Sequence, residues 1–211
     1  MSAAAASVPV GVLLAGGRSE RMGGGDKTLK LLGGKAMLAH IVARARSQVG
    51  ELILNANGDP ARFAAYGLPV VADGIEGFAG PLAGILSALE WAARNRPQAA
   101  WLASFPTDAP FFPADLVASL AAAATRENAD LACARTEDGA HPVFGLWRIA
   151  LRHDLRRAMI EENVRKVDAW TTRHKIAHVD YATTPFNPFF NVNRPENLAE
   201  AERLLAAGAV D

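Results

Sequence analysis

The feature that most constrains this chain is the regular alternation of short apolar runs with segments of helical periodicity. Seven runs of strand length are rich in β-branched or other apolar residues, and they lie at residues 8–15, 51–55, 69–72, 99–105, 129–134, 142–147 and 175–181. Between most of them apolar residues recur at helical spacing, most clearly in residues 80–94 and 113–125 and from Pro195 onward. Such alternation is typical of a parallel sheet whose strands are joined by helical crossovers.

Two of these runs, within residues 10–15 and 100–103, are apolar along their whole length, which indicates strands covered by helices on both faces. We therefore predict one α/β domain over residues 1–211, folded as a three-layer sandwich with a mostly parallel, Rossmann-like sheet. Residues 1–7 are expected to form a disordered N-terminal extension. Ligands of such sheets bind beyond the carboxyl ends of the strands, so the loops that follow the strands should line one crevice.

Composition narrows the functional classes. The chain has 211 residues, of which half are hydrophobic, and 22 Lys and Arg balance 22 Asp and Glu, which excludes a broadly basic nucleic-acid-binding protein. The single cysteine, Cys133, excludes an intramolecular disulfide and a cysteine-based zinc site. The N-terminus lacks the basic start of a signal peptide, and the longest apolar stretch, residues 80–93, is too short to span a membrane. We expect a cytoplasmic protein that binds neither membranes nor nucleic acids.

The strongest chemical signal is the glycine-rich segment directly after the first predicted strand. Residues 16–27 read GGRSERMGGGDK, with five glycines and three cations. Glycines let backbone amides approach an anion, and Arg21 and Lys27 can supply the charge that a polyphosphate requires. The segment is not a Walker A loop, because Asp26 precedes Lys27, nor a dinucleotide fingerprint, because Arg18 replaces the second glycine. A surface turn needs none of these cations, so the segment predicts a nucleoside triphosphate site.

An acidic residue follows the fourth predicted strand. Asp108 lies between Pro106 and Pro110, which restrict the loop and aim the carboxylate into the crevice. Such a carboxylate suits Mg²⁺, because this ion commonly combines one or two carboxylates with substrate phosphates and waters. The alternative is an Asx turn that caps the next helix. The phosphate loop predicted at the same edge of the sheet favours the metal.

Other polar residues leave more than one interpretation open. Asn55 and Asp73 end neighbouring strands at the predicted crevice, where each can pair with a base edge or a ribose hydroxyl, or simply form a turn. His174 and His178 are four residues apart, but the segment around His178 is predicted as a strand, so they do not form a metal site on one helix face. His141 could contact a substrate or serve as an ordinary loop histidine.

Together these motifs resemble the molybdenum cofactor guanylyltransferases, a family of nucleotidyltransferases. The resemblance extends over nearly the whole chain. It is carried by Leu14-Ala15-Gly16-Gly17, Arg21-Met22-Gly23, Asp26-Lys27, Asn55-Ala56-Asn57, Asp73, Gly80-Pro81-Leu82-Ala83-Gly84-Ile85, Pro106-Thr107-Asp108-Ala109-Pro110, His141-Pro142 and Phe190-Asn191-Val192-Asn193. It implies a Mg²⁺-dependent transfer of GMP from GTP to the phosphate of molybdopterin, with release of pyrophosphate. It also implies transient contact with proteins that deliver the cofactor.

The resemblance further implies roles for individual residues. Arg21, Lys27 and Asp108 would act in catalysis, and Asp108 would hold the Mg²⁺. The residues implied to bind the nucleotide are Leu14, Ala15, Gly16, Gly17, Lys27, Asn55, Asp73 and Asp108. The residues implied to face the second substrate are Arg165, Lys166, Asn191 and Asn193, although a solvated charged face explains Arg165 and Lys166 equally well.

Two alternative functions stay open at this point. One is a cytidylyltransferase acting on molybdopterin or on a sugar or polyol phosphate. Such relatives tend to carry Ala-Ala-Gly where this chain has Ala15-Gly16-Gly17. The other is a non-catalytic, nucleotide-binding regulator on the same fold, against which the presence of Asp108 argues.

Overall fold

The computed structural model describes residues 8–15, 27–75, 77 and 80–208, and it confirms the predicted α/β sandwich. The strands are β1 (Val10–Leu14), β2 (Leu31–Leu32), β3 (Lys35–Ala36), β4 (Glu51–Asn55), β5 (Val70–Val71), β6 (Trp101–Pro106), β7 (Leu131–Thr136), β8 (Gly139–Arg148) and β9 (Ile176–Asp180). The α-helices are α1 (Met37–Arg46), α2 (Pro81–Asn95), α3 (Leu116–Glu127), α4 (Arg152–Ile160), α5 (Val167–Thr171) and α6 (Pro195–Ala206). Short 3₁₀ helices lie at Lys27–Leu29, Pro60–Tyr66 and Ile149–Leu151. The predicted extension at residues 1–7 lies outside the described residues.

Seven of the strands form one sheet, in the order β5-β4-β1-β6-β8-β7-β9. β1 lies between β4 and β6 and is parallel to both, with Leu14 paired to Asn55 on one side and to Pro106 on the other. The carboxyl ends of these three strands therefore meet at one edge. β4 is also parallel to β5, and β9 is parallel to β7. Only β8 runs antiparallel to its neighbours β6 and β7, so the described sheet is mostly parallel, as predicted.

The core has two halves, one on each face of the sheet, because helices cover both faces. On one face α1 and α3 pack against β-strand side chains such as Leu13 and Phe105. On the other face α2, α4 and α5 pack against residues such as Val12 and Leu102. Leu13 and Val12 are fully buried on opposite faces, which confirms that β1 is covered from both sides.

Some elements differ from the sequence-based expectation. The sequence does not predict the β2–β3 hairpin, α4 or α5, and α3 begins at Leu116 rather than at residue 113, because the chain first makes a turn in which the Leu116 amide bonds the Pro113 carbonyl at 3.3 Å. Helix α4 shows no clear apolar periodicity in the sequence, because charged residues dominate it and it buries only Leu155, Ala158 and Met159. Among the described helices, none has both the length and the apolar character that crossing a bilayer requires.

Candidate active site

The carboxyl ends of β1, β4, β5 and β6 bring the predicted nucleotide-binding residues to one edge of the sheet. The Ala15 amide donates to the Asn55 carbonyl at 2.9 Å, which continues the β1–β4 ladder one residue beyond β1. On the other side of β1 the hydroxyl of Thr107 donates to the Leu14 carbonyl at 2.9 Å. These bonds fix Leu14 and Ala15 between β4 and the loop that carries Asp108.

The glycine-rich segment that continues from Ala15 falls largely outside the described residues. Gly16, Gly17 and Arg21 lie outside the described residues. For Lys27 only the backbone is described, at the start of a 3₁₀ helix. The predicted roles of these residues in phosphate binding and catalysis therefore stay predictions.

Asn55 is buried at the end of β4 and uses its side chain within the protein. Its amide nitrogen donates to the Val71 carbonyl at 3.0 Å and to Asp73 Oδ1 at 2.9 Å, so both amide protons are committed. The side chain lies directly against Gly84 of α2, where a β-carbon would approach Asn55 Cγ to 2.8 Å. The geometry makes Asn55 a support for Asp73 as well as a residue of the crevice.

Asp73 follows β5, is half-buried, and receives a second amide from Asn57. Asn57 Nδ2 donates to Asp73 Oδ2 at 2.7 Å, while the Asp73 backbone amide donates back to Asn57 Oδ1 at 2.9 Å. Each carboxylate oxygen of Asp73 thus accepts one side-chain amide, one from Asn55 and one from Asn57. From the sequence alone, Asn57 is recognised only as part of the Asn55-Ala56-Asn57 motif, without a role of its own.

Helix α2 holds the loop after Asp73 from the other side. The buried Ser87 hydroxyl donates to the Ala83 carbonyl at 2.9 Å and accepts the Gly74 amide at 2.8 Å. This contact was missed from the sequence, because a serine inside an apolar helical stripe gives no signal of its partner. Ser87 therefore fixes the position of the Asp73 loop relative to α2.

Asp108 lies at the end of β6, half-buried, and the C-terminal part of the chain is bonded to it. The Val192 amide donates to the Asp108 carbonyl at 2.7 Å, and Val192 is fully buried. The neighbouring residues Asn191 and Asn193 are exposed on either side of it. The structure thus brings the predicted metal ligand next to two of the residues predicted to face the second substrate.

Asp108 offers one carboxylate, an oxygen ligand of the kind that a hard divalent cation takes. The described residues contain no group of three or more His, Cys, Asp or Glu side chains that could enclose a metal. A metal at Asp108 would therefore take most of its ligands from outside the described residues, such as phosphate oxygens and water. That arrangement suits Mg²⁺, which keeps several waters and commonly needs only one or two carboxylates.

Arg165 and Lys166 lie on a different face of the sheet from Val192. Arg165 Nη1 donates to the Met159 and Val164 carbonyls, at 3.0 and 3.1 Å, at the end of α4, and Lys166 is exposed immediately before α5. Met159 and Val164 belong to the half of the core on the α2 face, whereas Val192 belongs to the half on the α1 face. The structure gives Arg165 a helix-end contact.

His141 lies at the same edge of the sheet, at the beginning of β8. Its Nε2 and the Thr136 hydroxyl are 2.9 Å apart, and its ring packs against Phe189 with centroids 4.8 Å apart. Burial lowers the pKa of His141 below its ordinary value of 6.5. Cys133, in the adjacent strand, is buried, and burial raises the pKa of its thiol to about 11, so this thiol is not a nucleophile at neutral pH.

Comparison with known proteins identifies similar sequences over nearly the full length. A family model described as the MobA-like NTP transferase domain matches residues 11–178. A molybdenum cofactor guanylyltransferase from Bradyrhizobium sp. (strain ORS 278) is 54% identical over 205 residues, which cover 97% of this chain and 96% of that protein.

Solved structures show the same fold at lower sequence identity. Molybdopterin-guanine dinucleotide biosynthesis protein A from Archaeoglobus fulgidus superposes with a TM-score of 0.73 at 20% identity, covering 94% of this chain and 99% of that one. A Mycobacterium tuberculosis protein solved in complex with manganese gives a TM-score of 0.67 at 18% identity, covering 93% and 99% of the two chains. At these identities the likeness shows the fold alone.

Proposed function

This chain belongs to the MobA-like NTP transferase family, and we propose that it transfers GMP from GTP to the terminal phosphate of molybdopterin, with release of pyrophosphate. It is a nucleotidyltransferase of molybdenum cofactor biosynthesis, like its relative at 54% identity. The observation that carries the choice of substrates is the 54% identity to a molybdenum cofactor guanylyltransferase over 97% of this chain. Asp73 and Asp108 follow strands whose carboxyl ends lie at the same edge of the sheet, and residues 191–193 are joined to Asp108 through the Val192 amide. Ligands of such sheets bind at that edge.

The reaction needs no nucleophile from the protein. A phosphate oxygen of molybdopterin attacks the α-phosphorus of GTP, the bond from that phosphorus to the bridging oxygen breaks, and pyrophosphate leaves with the bonding electrons. A phosphate monoester is already ionised near neutral pH, so a general base is unnecessary. Catalysis then consists of holding the two substrates in line and stabilising negative charge.

The charges and donors of this chain divide that work between them. Lys27 and Arg21, from the glycine-rich segment, would neutralise charge on the departing pyrophosphate. Leu14 and Ala15 would present backbone groups to the nucleotide, together with Gly16 and Gly17, while Asp73 would accept hydrogen bonds from it. Asn55 supports Asp73 in this position by donating to its Oδ1 at 2.9 Å.

Asp108 is the residue that would hold Mg²⁺, as the donor set described above permits. When bound, the ion would screen the negative charge on the phosphates. A Mycobacterium tuberculosis protein with this fold was solved in complex with manganese, which supports the proposal of a divalent cation as cofactor. Asn191 and Asn193, beside Asp108, would orient the acceptor phosphate, with Arg165 and Lys166 a second, separate candidate set on the α4–α5 face.

The cellular setting is also part of the proposal. We place the enzyme in the cytoplasm, where its one cysteine, Cys133, would stay reduced. The product would pass by transient contact to proteins that deliver the finished cofactor.

The decisive experiment measures thermal unfolding with each of the four ribonucleoside triphosphates, with and without Mg²⁺. A ligand that binds only the folded state raises the melting temperature, so GTP with Mg²⁺ should give the largest shift. Incubation with GTP and molybdopterin should then yield the guanine dinucleotide and pyrophosphate. A larger shift with CTP and formation of the cytosine dinucleotide would contradict the proposal in favour of a cytidylyltransferase. Nucleotide binding with no transfer would indicate a regulator.

A further inference from the structure

We propose that Asn57 is a positioning residue that fixes the orientation of the Asp73 carboxylate toward the nucleotide. The inference rests on the proposed function, because it requires a nucleotide to be bound beside Asp73. Asn57 itself is exposed and lies beyond the end of β4. Its role would be exerted through Asp73.

The contact between Asn57 and Asp73 has two points, which is what restricts the carboxylate. Nδ2 of Asn57 donates to Oδ2 of Asp73 at 2.7 Å, and Oδ1 of Asn57 accepts the Asp73 backbone amide at 2.9 Å. A carboxylate oxygen only accepts and a backbone N–H only donates, so these partners determine which end of the Asn57 amide points where. The pair therefore links the backbone and side chain of Asp73 in one closed ring.

The other oxygen of Asp73 is held by Asn55. With one amide on each oxygen, rotation of the carboxylate about its terminal bond would break both hydrogen bonds at once. No ion pair to Asp73 is found within the part of the chain that the structure describes. Two neutral amides thus define the direction of the carboxylate without bringing a positive charge to it.

The contrast with Asp180 shows why this matters for a ligand. Both oxygens of Asp180 are taken by the Arg135 guanidinium, at 2.6 and 2.9 Å, which compensates the charge and lowers the pKa of Asp180. Asp73 has two neutral amide partners instead, and each of its oxygens keeps a lone pair that these amides do not use. A ligand that offers N–H or O–H donors fits such a group.

The backbone of Asn57 is itself anchored. Arg62 Nη2 donates to the Asn57 carbonyl at 2.7 Å, and the Arg62 guanidinium lies 4.7 Å from the Phe63 ring centroid, while Phe63 is buried. Gly58 takes a positive φ of 86°, which lets the chain turn directly after Asn57. The anchor belongs to the backbone, so truncating the exposed Asn57 side chain should leave the fold intact.

Loss of Asn57 should therefore weaken nucleotide binding with little effect on stability. In Asn57→Ala we expect the Kd for GTP to rise by about tenfold, as for one lost hydrogen bond to a charged group. The KM for GTP should rise in parallel, while kcat at saturating GTP stays near that of the wild type, since the bond supports ground state and transition state alike.

A double-mutant cycle separates positioning from an independent effect. We would measure the GTP Kd calorimetrically for Asn57→Ala, Asp73→Asn and the double variant. Asn95→Ala is the control, because Asn95 is also exposed and its side chain donates to the Trp91 carbonyl of the same helix at 2.8 Å. If Asn57 acts through Asp73, the double variant should have the same GTP Kd as Asp73→Asn alone. Additive losses, an unchanged Kd in Asn57→Ala, or a melting temperature lowered without a change in Kd would overturn the proposal.

The same measurements distinguish failure of this inference from failure of the proposed function. If the wild type binds CTP rather than GTP and the cycle with CTP is still non-additive, Asn57 keeps its positioning role and only the choice of nucleotide is wrong. If the wild type binds GTP and the cycle is additive, only the role of Asn57 is wrong. If the wild type binds no triphosphate, both proposals are wrong.

Discussion

The side chain of Asn55 occupies the space beside Gly84 that a β-carbon on that glycine would need. Such a carbon would lie 2.8 Å from both Asn55 Cγ and Leu14 Cδ2, closer than side chains pack. Gly84 is the fourth residue of α2, inside a helix, where a glycine normally costs stability. Here it lets the helix approach the ends of β1 and β4, so that Asn55 can turn toward Asp73.

This relationship predicts that Gly84→Ala destabilises the protein, contrary to the usual gain from removing a helical glycine. We expect a loss of about 1–3 kcal/mol in the free energy of unfolding, because the crowded side chains must move, and weaker GTP binding. Urea unfolding and calorimetry measure the two effects. Gly74→Ala is the matched control, since a β-carbon there would have its nearest neighbours at 3.6 and 3.9 Å. A stabilised Gly84→Ala variant with normal binding would contradict the packing argument.

A second prediction concerns the metal. Asp108→Asn should keep the fold but lose most of the turnover, because an amide oxygen is an uncharged and weaker ligand for Mg²⁺. Transfer of GMP at saturating GTP and Mg²⁺ is the measurement. Asp115→Asn serves as the control, because Asp115 is exposed and its carboxylate accepts a bond from Ser119 at 3.1 Å. Retained Mg²⁺-dependent transfer in Asp108→Asn would remove the assignment.

A third prediction concerns the charge of the glycine-rich segment. Lys27→Ala should strongly lower triphosphate affinity or turnover while the melting temperature of the free protein stays nearly unchanged, since a phosphate-binding lysine adds little to the core. Differential scanning fluorimetry and steady-state kinetics test the two parts. The opposite result, large destabilisation with normal turnover, would make Lys27 a structural residue.

A fourth prediction concerns base selection. Guanine presents two donors beside the O6 acceptor, whereas cytosine presents one amino donor beside two acceptors, so a pocket matched to guanine leaves polar groups unpaired against cytosine. We expect GTP to be preferred over CTP and ATP by at least about a hundredfold in kcat/KM. Competition assays with molybdopterin and pairs of triphosphates measure the ratio. A preference for CTP would favour the cytidylyltransferase and leave Asp108 and Lys27 in their proposed roles.

A fifth prediction follows from the half-buried histidine of β8, His141. Because burial lowers the pKa of His141 in the folded state, the unfolded chain takes up this proton first as the pH falls below the ordinary value of 6.5. The contribution of His141 to stability is therefore fully present above that pH and declines below it. Urea unfolding measured from about pH 8 to 5 should show that the free energy of unfolding falls less steeply with decreasing pH in His141→Gln than in the wild type. Equal slopes for His141→Gln and the wild type would contradict the prediction.

The sequence predicted where the crevice lies because parallel strands end at a common edge. Asn55 and Asp73 directly follow apolar runs, so their side chains could be placed near one another before any contact was known. The bond between Asn57 and Asp73, 16 residues apart, could not be predicted, because it depends on how tightly the loops after β4 and β5 pack. From the sequence, Gly84 is recognised only as part of a motif. The close approach of Asn55 and Leu14 that requires a glycine there is seen only in the structure.

The direction of β8 shows a second reason why the sequence was insufficient. The apolar runs at residues 129–134 and 142–147 are separated by a polar stretch, which leaves room for several connections. In the structure β7 extends to Thr136 and β8 begins at Gly139, so only two residues join them. A link this short permits only an antiparallel hairpin. The ends of both strands at this hairpin are polar and partly exposed, so the apolar pattern of the sequence does not include them.

The hydrogen bond from the Val192 amide to the Asp108 carbonyl joins two segments that the ribosome releases at different times. The residues of β1, β4, β5 and β6 all emerge before residue 192. The Asp108 carbonyl gains its partner only when the segment containing Val192 has emerged and folded back onto the sheet. A chain that ends before residue 191 therefore lacks this bond and both flanking asparagines, so the part of the site that is proposed to orient the acceptor phosphate is synthesised last.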